Sequence, residues 1–319
     1  MVLRNRISAV NELIVCKSHE KCNPMCSSNI LNDPRKCRSK KQFEILFDFL
    51  GPAKYELNYW NSIYSKNSTQ KQPNQFFLNI KEQLFVTLLR LRRGYNIVTL
   101  AHMYSVSEYN IRRIFTTWIM FLFHHFKEYE VLMFPPRQQF KQFLPSVFKN
   151  FTNIRCSVDC TEFFCEMPRD YGKQGNNYSS YKHHCTMKCL IAVNPHGAAC
   201  FVSNLFEGSI DDVTIFQQCG ILSFINPGDS LLVDKGFTIQ DLLLPKQATI
   251  YIPAFFGKRK SLTKEELIAK ARIHIERFNE RLKKFSFING TIPQKPSPIA
   301  SQLVYVAACL VNFQDCLCK

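Results

Sequence analysis

Three acidic residues carry the chemistry this 319-residue chain could do: Asp159 in IRCSVDCTEF, Asp234 in SLLVDKGF and Glu276 in RIHIERFNERLK. The first two end runs that alternate like strands, and the third lies on a long basic stretch with helical spacing. Carboxylates so placed can hold two divalent cations, Mg²⁺ or Mn²⁺, over a phosphodiester, one activating a water and the other stabilising the leaving oxygen. Each acid also has a plainer reading. Asp159 could form a strand-end turn, although a carboxylate between Val158 and Cys160 has no obvious packing role. Asp234, before Lys235-Gly236, could cap a helix, and Glu276 could pair on a helix surface with Arg272. Glu280, one turn beyond Glu276, competes with it for the third place.

Such acids need a sheet to hold two of them and a helix to bring the third. From about Asn153 the pattern supplies both. IRCSVDC reads as a strand, with TEFFCEM as its candidate continuation; KHHCTMKCLIAV and ACFVSNLF follow as a hairpin across Asn194-Pro195-His196-Gly197. A helix is expected from near Ser209, then strand SLLVD, helix IQDLLL, strand ATIYIPA, and a long helix from a Thr263/Glu266 capping box. Three strands, helix, strand, helix, strand, helix is the order of an RNase H-like α/β core with a mixed five-stranded sheet. PRDYGKQGNNYSSY reads as a loop. Of the 14 Cys, many fall at alternate strand positions: His183, Cys185, Met187, Cys189, Ile191 and Val193 share one face, and Ile154, Cys156, Val158 and Cys160 share the face opposite Asp159. Buried packing explains them better than a zinc site from His183, Cys185 and Cys189. Cys16, Cys22, Cys26 and Cys37 match no zinc spacing well and stay ambiguous.

Charge is unevenly spread. Residues 1–150 hold 22 of the 41 Lys and Arg against 10 acids, a net +12, which is the footprint expected of a part that contacts phosphates. Residues 1–40 read as a flexible arm, followed from Lys41 by a short amphipathic helix closed by Gly51-Pro52 and a polar linker. LNIKEQLFVTLLRLRRG, IVTLAHMY and a third helix then form an all-α segment, with Leu84, Leu88 and Leu91 on one stripe and Ile111, Ile114 or Phe115, Trp118 and Leu122 on another. Ser105 and Glu108 fit a capping box for the third helix. A short helix, tight turn and longer helix presenting Asn110, Arg112 and Arg113 is a helix-turn-helix arrangement, and Arg90, Arg92 and Arg93 add to its basic character. An ordinary three-helix bundle is the plain alternative. Arg277, Arg281 and Lys284, at i, i+4 and i+7, form a further basic stripe suited to a DNA backbone. No apolar stretch reaches membrane-spanning length, TTWIMFLFHHF being broken by His124 and His125, and the N-terminus lacks a secretory h-region. A soluble protein, neither secreted nor membrane-bound, is expected.

The run VDCTEF…SYKHHCTMKCLIAVNPHGAACFVSNLFEGSIDDVTIF…GDSLLVDKGF…RIHIERFNERLKKF resembles the DDE superfamily endonucleases of the PIF/Harbinger type. The likeness extends back over LFVTLLRLRRGYNIVTLAHMYSVSEYNIRRIF and covers roughly residues 78–318. It departs at Lys235, where Arg is more usual. The resemblance implies that Asp159, Asp234 and Glu276 are metal ligands and catalytic groups, and it alone selects Glu276 over Glu280. It places Asp212, with Asp211 as rival, and Glu162 at supporting acidic positions beside them. It further implies a transposase that cleaves and transfers DNA strands at element ends with a divalent cation, in the nucleus. Double-stranded DNA, a homo-oligomer on that DNA and sometimes a Myb-like accessory protein are the implied partners. A domesticated DNA-binding protein with the same fold is the main alternative, and an RNA-directed nuclease a weaker one. The expected division is an N-terminal arm and short helix (1–75), a helix-turn-helix domain (76–130), a connector (131–152) and an RNase H-like nuclease domain (153–319).

Overall fold

An eleven-residue strand, β1 (Ile154–Phe164), runs through the middle of the sheet and carries Asp159 near its centre. The computed structural model describes residues 34–60, 78–139, 144–145, 148, 153–234, 236–252, 264–293 and 299–314, leaving aside the side chains of 34–40 and 264–271. Alternation gives β1 two faces. Cys156 and Val158 enter one apolar cluster with Leu190, Ala192 and Ile215, whereas Phe163 enters the other with Cys189, Ile191, Phe278 and Leu282. Asp159 belongs by period to the second face.

β1 pairs antiparallel with β3 (His184–Val193), which sets Asp159 opposite Ile191. Antiparallel to β3 lies β4 (Ala199–Val202). On its other side β1 runs parallel to β6 (Ser230–Leu232), and β6 parallel to β7 (Thr249–Tyr251). The central order β4-β3-β1-β6-β7 is the mixed five-stranded arrangement expected of an RNase H-like core. Two further pieces, β2 (Tyr178–Ser179) and β5 (Phe206–Glu207), pair with β3 and were not legible, being two residues each.

Around the sheet lie α1 (Pro34–Phe49), α2 (Ile80–Arg93), α3 (Ile97–Tyr104), α4 (Glu108–Lys127), α5 (Glu130–Met133), α6 (Tyr171–Asn177), α7 (Asp212–Gln218), α8 (Gln240–Leu243), α9 (Lys264–Lys283), α10 (Ser286–Asn289) and α11 (Ala300–Asn312). Local chemistry explains their ends. Asn79 and Glu82 form a capping box at the start of α2, and Gly94 closes it at φ 70, a left-handed conformation that glycine adopts without strain. The cap of α4 is Ser107, whose side chain accepts from the Asn110 amide; Ser105 instead ends α3 at φ 52. The Ser105 capping box is therefore corrected by two residues. The Gly- and Asn-rich stretch read as a loop contains α6, capped by the Asp170 side chain on the Lys173 amide. Helix α1 begins at Pro34, inside the stretch read as an arm. Residues 1–33, the Thr263 cap, Lys235, and Cys16, Cys22 and Cys26 lie outside the described residues, as does the side chain of Cys37.

One apolar cluster joins the helices before the sheet to those after it. Leu84, Leu91, Ile111, Trp118 and Leu122 are buried with Phe278, Leu303, Tyr305 and Val306. The helix-turn-helix is thus seated on the sheet's helical layer through α4 against α11. Among the described residues no helix is long and apolar enough to cross a membrane. The strand cysteines pack as expected: Cys156, Cys185 and Cys189 are buried and free, and burial pushes the Cys189 thiol up to about 12.

Candidate active site

The parallel pairing of β1 with β6 decides where the first two acids meet. Ser157 lies opposite Leu232, the last residue of β6, so the same register continued for two residues brings Asp234 level with Asp159. Asp159 is mostly buried, and its carboxyl is raised from the usual carboxylate range to about 6. Burial is the largest cause; the Arg272 guanidinium pulls the other way, while Asp234 and Asp212 push the carboxyl up further. The Asp159 carboxyl therefore feels two other carboxylates and one arginine.

Helix α9 brings the rest. Its buried residues His274, Ile275, Phe278, Asn279 and Leu282 face the sheet. Arg272 Nη1 donates to Asp234 Oδ1 at 2.8 Å, and Asn279 Nδ2 donates to Asp159 Oδ2 at 2.7 Å. Arg272, Glu276 and Asn279 stand at i, i+4 and i+7, which is one stripe of an α-helix. Glu276 accordingly sits between the residue that grips Asp234 and the residue that grips Asp159. Glu280 lies off that stripe and is ion-paired with Lys284 at 2.6 Å, which holds its carboxyl below the usual range. Glu276 is exposed, and it, not Glu280, shares the helix stripe of Arg272 and Asn279.

The two acids after the β3–β4 hairpin also separate. Asp211 caps α7, accepting from the Thr214 amide at 2.8 Å and the Thr214 hydroxyl at 2.6 Å. Asp212 instead receives Lys188 Nζ at 3.3 Å, and that ammonium also donates to the Ile210 carbonyl. Lys188 is opposite Glu162 across β1 and β3, and Glu162 accepts from Thr186 Oγ1 at 2.8 Å. Asp212 and Glu162 are thus each held by a β3 side chain, on the sheet face opposite Asp159.

A divalent cation fits the donors present. They are all carboxylate oxygens, the ligands hard cations take, and the raised Asp159 carboxyl marks negative charge that the protein compensates only in part. Among the described residues no three His, Cys, Asp or Glu side chains already stand grouped to hold an ion. Arg272 engages Asp234 instead, so an ion would have to share or displace that guanidinium.

Comparison with protein families puts a frame on this geometry. Residues 158–312 match the family model described as DDE superfamily endonuclease, and residues 76–128 match that described as helix-turn-helix of DDE superfamily endonuclease. The chain carries a DDE superfamily endonuclease domain behind the superfamily's helix-turn-helix. Comparison with curated proteins gives no match. The matched domain contains Asp159, Asp234 and Glu276, and the superfamily's chemistry is that of a nuclease, which generally uses divalent metals.

On the helix-turn-helix the expected contacts differ in standing. Arg112 is exposed at the start of α4 and ion-paired with Glu108 at 3.2 Å, and Asn110 is half-buried in the first turn. Arg113 donates to the Trp60 carbonyl at 2.9 Å and lies over the Tyr109 ring, so it also ties the preceding segment down. Arg90 sits 4.9 Å from the ring centres of both Phe115 and Phe287, and burial lowers its guanidinium to about 10. Arg92 lies over Phe285. Those two arginines join helices rather than face a ligand. On α9, Arg277 is exposed and Arg281 half-buried, while Lys284 lies just past the helix end on Glu280. Sequence reasoning missed Asn279 altogether. Its signal was a polar residue inside the buried stripe Ile275, Phe278 and Leu282.

Proposed function

We propose that the chain is a DNA strand-cleaving transposase of the PIF/Harbinger type. Asp159, Asp234 and Glu276 would hold the divalent cations, two in number, and bound cations would supply charge neutralisation at the phosphodiester. Placement of Asp159 on β1 and of Asp234 just past the neighbouring β6, with Glu276 on the helix stripe whose Arg272 and Asn279 grip them, is the observation that carries the reading. Asn279 orients Asp159 through its amide. Arg272 holds Asp234 and keeps the Asp159 carboxyl from rising further. Lys188 and Thr186 position Asp212 and Glu162 behind the strand. Asn110, Arg112 and Arg113 on α4 engage duplex DNA, and Arg277, Arg281 and Lys284 follow its backbone. Action in the nucleus, as a homo-oligomer that synapses two element ends, with or without a Myb-like accessory protein, completes the proposal.

Strand cleavage of a plasmid bearing the gene's own flanking DNA, with Mg²⁺ or Mn²⁺, tests it beside Asp159→Asn, Asp234→Asn and Glu276→Gln. The expected result is nicking by the wild type only, with DNA binding kept by all three variants. Binding without cleavage by the wild type would instead favour a domesticated DNA-binding protein.

A further inference from the structure

β1 outruns its parallel partner. β6 ends at Leu232, level with Ser157, whereas the β1–β3 ladder continues past Asp159 to Phe164 opposite Thr186. At about 3.3 Å per residue the hairpin projects some 17 Å beyond Asp159. Its tip, between Phe164 and His184, concentrates aromatic and cationic side chains at the surface. Tyr171 is 86% exposed, Tyr181 79% and Tyr178 47%, and Met167 is exposed beside them. Arg169, Lys173 and Lys182 are exposed in the same segment, and the Lys182 ammonium lies 4.5 Å over the Tyr181 ring.

The backbone that displays them is fastened at several points. The Asp170 carboxylate caps α6, Gln174 Nε2 donates to the Pro168 carbonyl at 2.7 Å, and Asn176 Nδ2 donates to Glu207 on β5. Gly208 allows this close seat, since a Cβ there would lie 2.6 Å from the Asn177 carbonyl oxygen. Beside α6 is a cavity of about 390 Å³ whose lining includes Arg169 and Lys173, the acids Glu166 and Asp170, and Met187 and Ile292.

We propose that this hairpin tip is a binding platform for unpaired nucleotides of the DNA strand running off the carboxylates, a proposal that rests on the nuclease reading above. In a duplex the base faces are stacked and closed to a protein ring; exposed phenol faces interleaved with cations match unstacked bases and the phosphates between them. The platform continues the strand that bears Asp159, so DNA lying over the acids passes it without any further rearrangement. A pre-ordered surface of this kind keeps the ordering cost of binding small.

The test is anisotropy of labelled DNA with the full chain in EDTA, so that no cleavage step intervenes. One probe is a blunt duplex; the other carries the same duplex with a single-stranded tail. The platform requires tighter binding of the tailed probe by the wild type. The double variant Tyr171→Ala/Tyr181→Ala should lose about tenfold on the tailed probe and keep its affinity for the blunt one. Tyr171→Phe/Tyr181→Phe, which retains the rings, should behave as wild type. Equal affinity for both probes, or alanine variants that change neither or both alike, overturns the platform and leaves the nuclease reading standing. A shift in oligomeric state with tailed-DNA affinity unchanged would likewise overturn it and assign the surface to protein contact. Absence of any DNA binding by the wild type would sink both readings.

Discussion

Asp159→Asn should stabilise the metal-free protein at neutral pH while removing its chemistry. The Asp159 carboxyl sits at about 6 against an ordinary 3.8. One unit is about 1.36 kcal/mol, so holding this group ionised in the folded state costs about 3 kcal/mol. The direction follows from proton counts. Between about pH 4 and 6 the folded protein keeps a proton on Asp159 that the unfolded chain has released, so this group makes stability fall as pH rises through that window. The cost is absent below the unfolded value and fully present above the folded one. Asparagine removes the ionisation, and its amide oxygen can still accept from Asn279 Nδ2.

Urea unfolding in EDTA, repeated from acid to neutral pH on wild type and variant, measures this. The two curves should meet near pH 4 and diverge to about 3 kcal/mol in the variant's favour by pH 7. Taking the difference between the proteins cancels the other titrating groups. Added Mg²⁺ should reverse the order, stabilising the wild type at neutral pH and leaving the variant unmoved, because a cation offsets the charge that burial penalises. Parallel curves across the range would show that the folded protein does not penalise the Asp159 charge, and the argument for a cation at this position would lose its electrostatic basis.

Other outcomes follow from the same geometry. Glu280→Gln should leave metal-dependent cleavage within about twofold of wild type, since surface pairs such as Glu280–Lys284 contribute little, whereas Glu276→Gln abolishes it; a plasmid nicking assay separates them. Arg112→Ala should weaken duplex binding and lower the salt slope by about 1, while Arg113→Ala also lowers the melting temperature through the lost Trp60 contact, read by calorimetry. Trp118→Ala should cost about 3–5 kcal/mol and lower the melting of the helix-turn-helix and the sheet together, because the two share one apolar cluster; two separate transitions would refute that coupling.

The sheet and its acids were legible because strand period leaves few places to put a carboxylate. Asp159 interrupts a run of apolar and cysteine residues, and Asp234, just past β6, stands out after Leu231, Leu232 and Val233. Other features depended on the partner a side chain finds. Ser105 and Ser107 are both plausible caps in sequence, and only backbone geometry assigns the left-handed turn to one and the cap to the other. Gly172 and Gly175 disguise α6, whose helix is held by Asp170 and Gln174 rather than by propensity. Arg90 and Arg92 add to a basic count that points to phosphate, yet both lie on aromatic rings. Net charge reports how many cations a segment has, and packing decides which remain available.

The register of α9 is what brings Arg272 and Asn279 to the two aspartates, with Glu276 on the stripe between them. A helix residue advances 100°, so Arg272, Glu276 and Asn279 fall within about 60° of one another. Arg272 reaches the acid that follows β6 and Asn279 the acid on β1, two points that the sheet holds level. With both ends fastened, the helix sets Glu276, an exposed residue, between the two contacts and leaves Glu280 off that stripe. The arrangement also explains why no ready-made cage of acids exists beside Asp234 among the described residues: the same arginine that sets the helix register engages that carboxylate. Binding a cation and freeing Arg272 towards a phosphate would then be one event, in which the guanidinium exchanges an acid of the protein for an acid of the substrate.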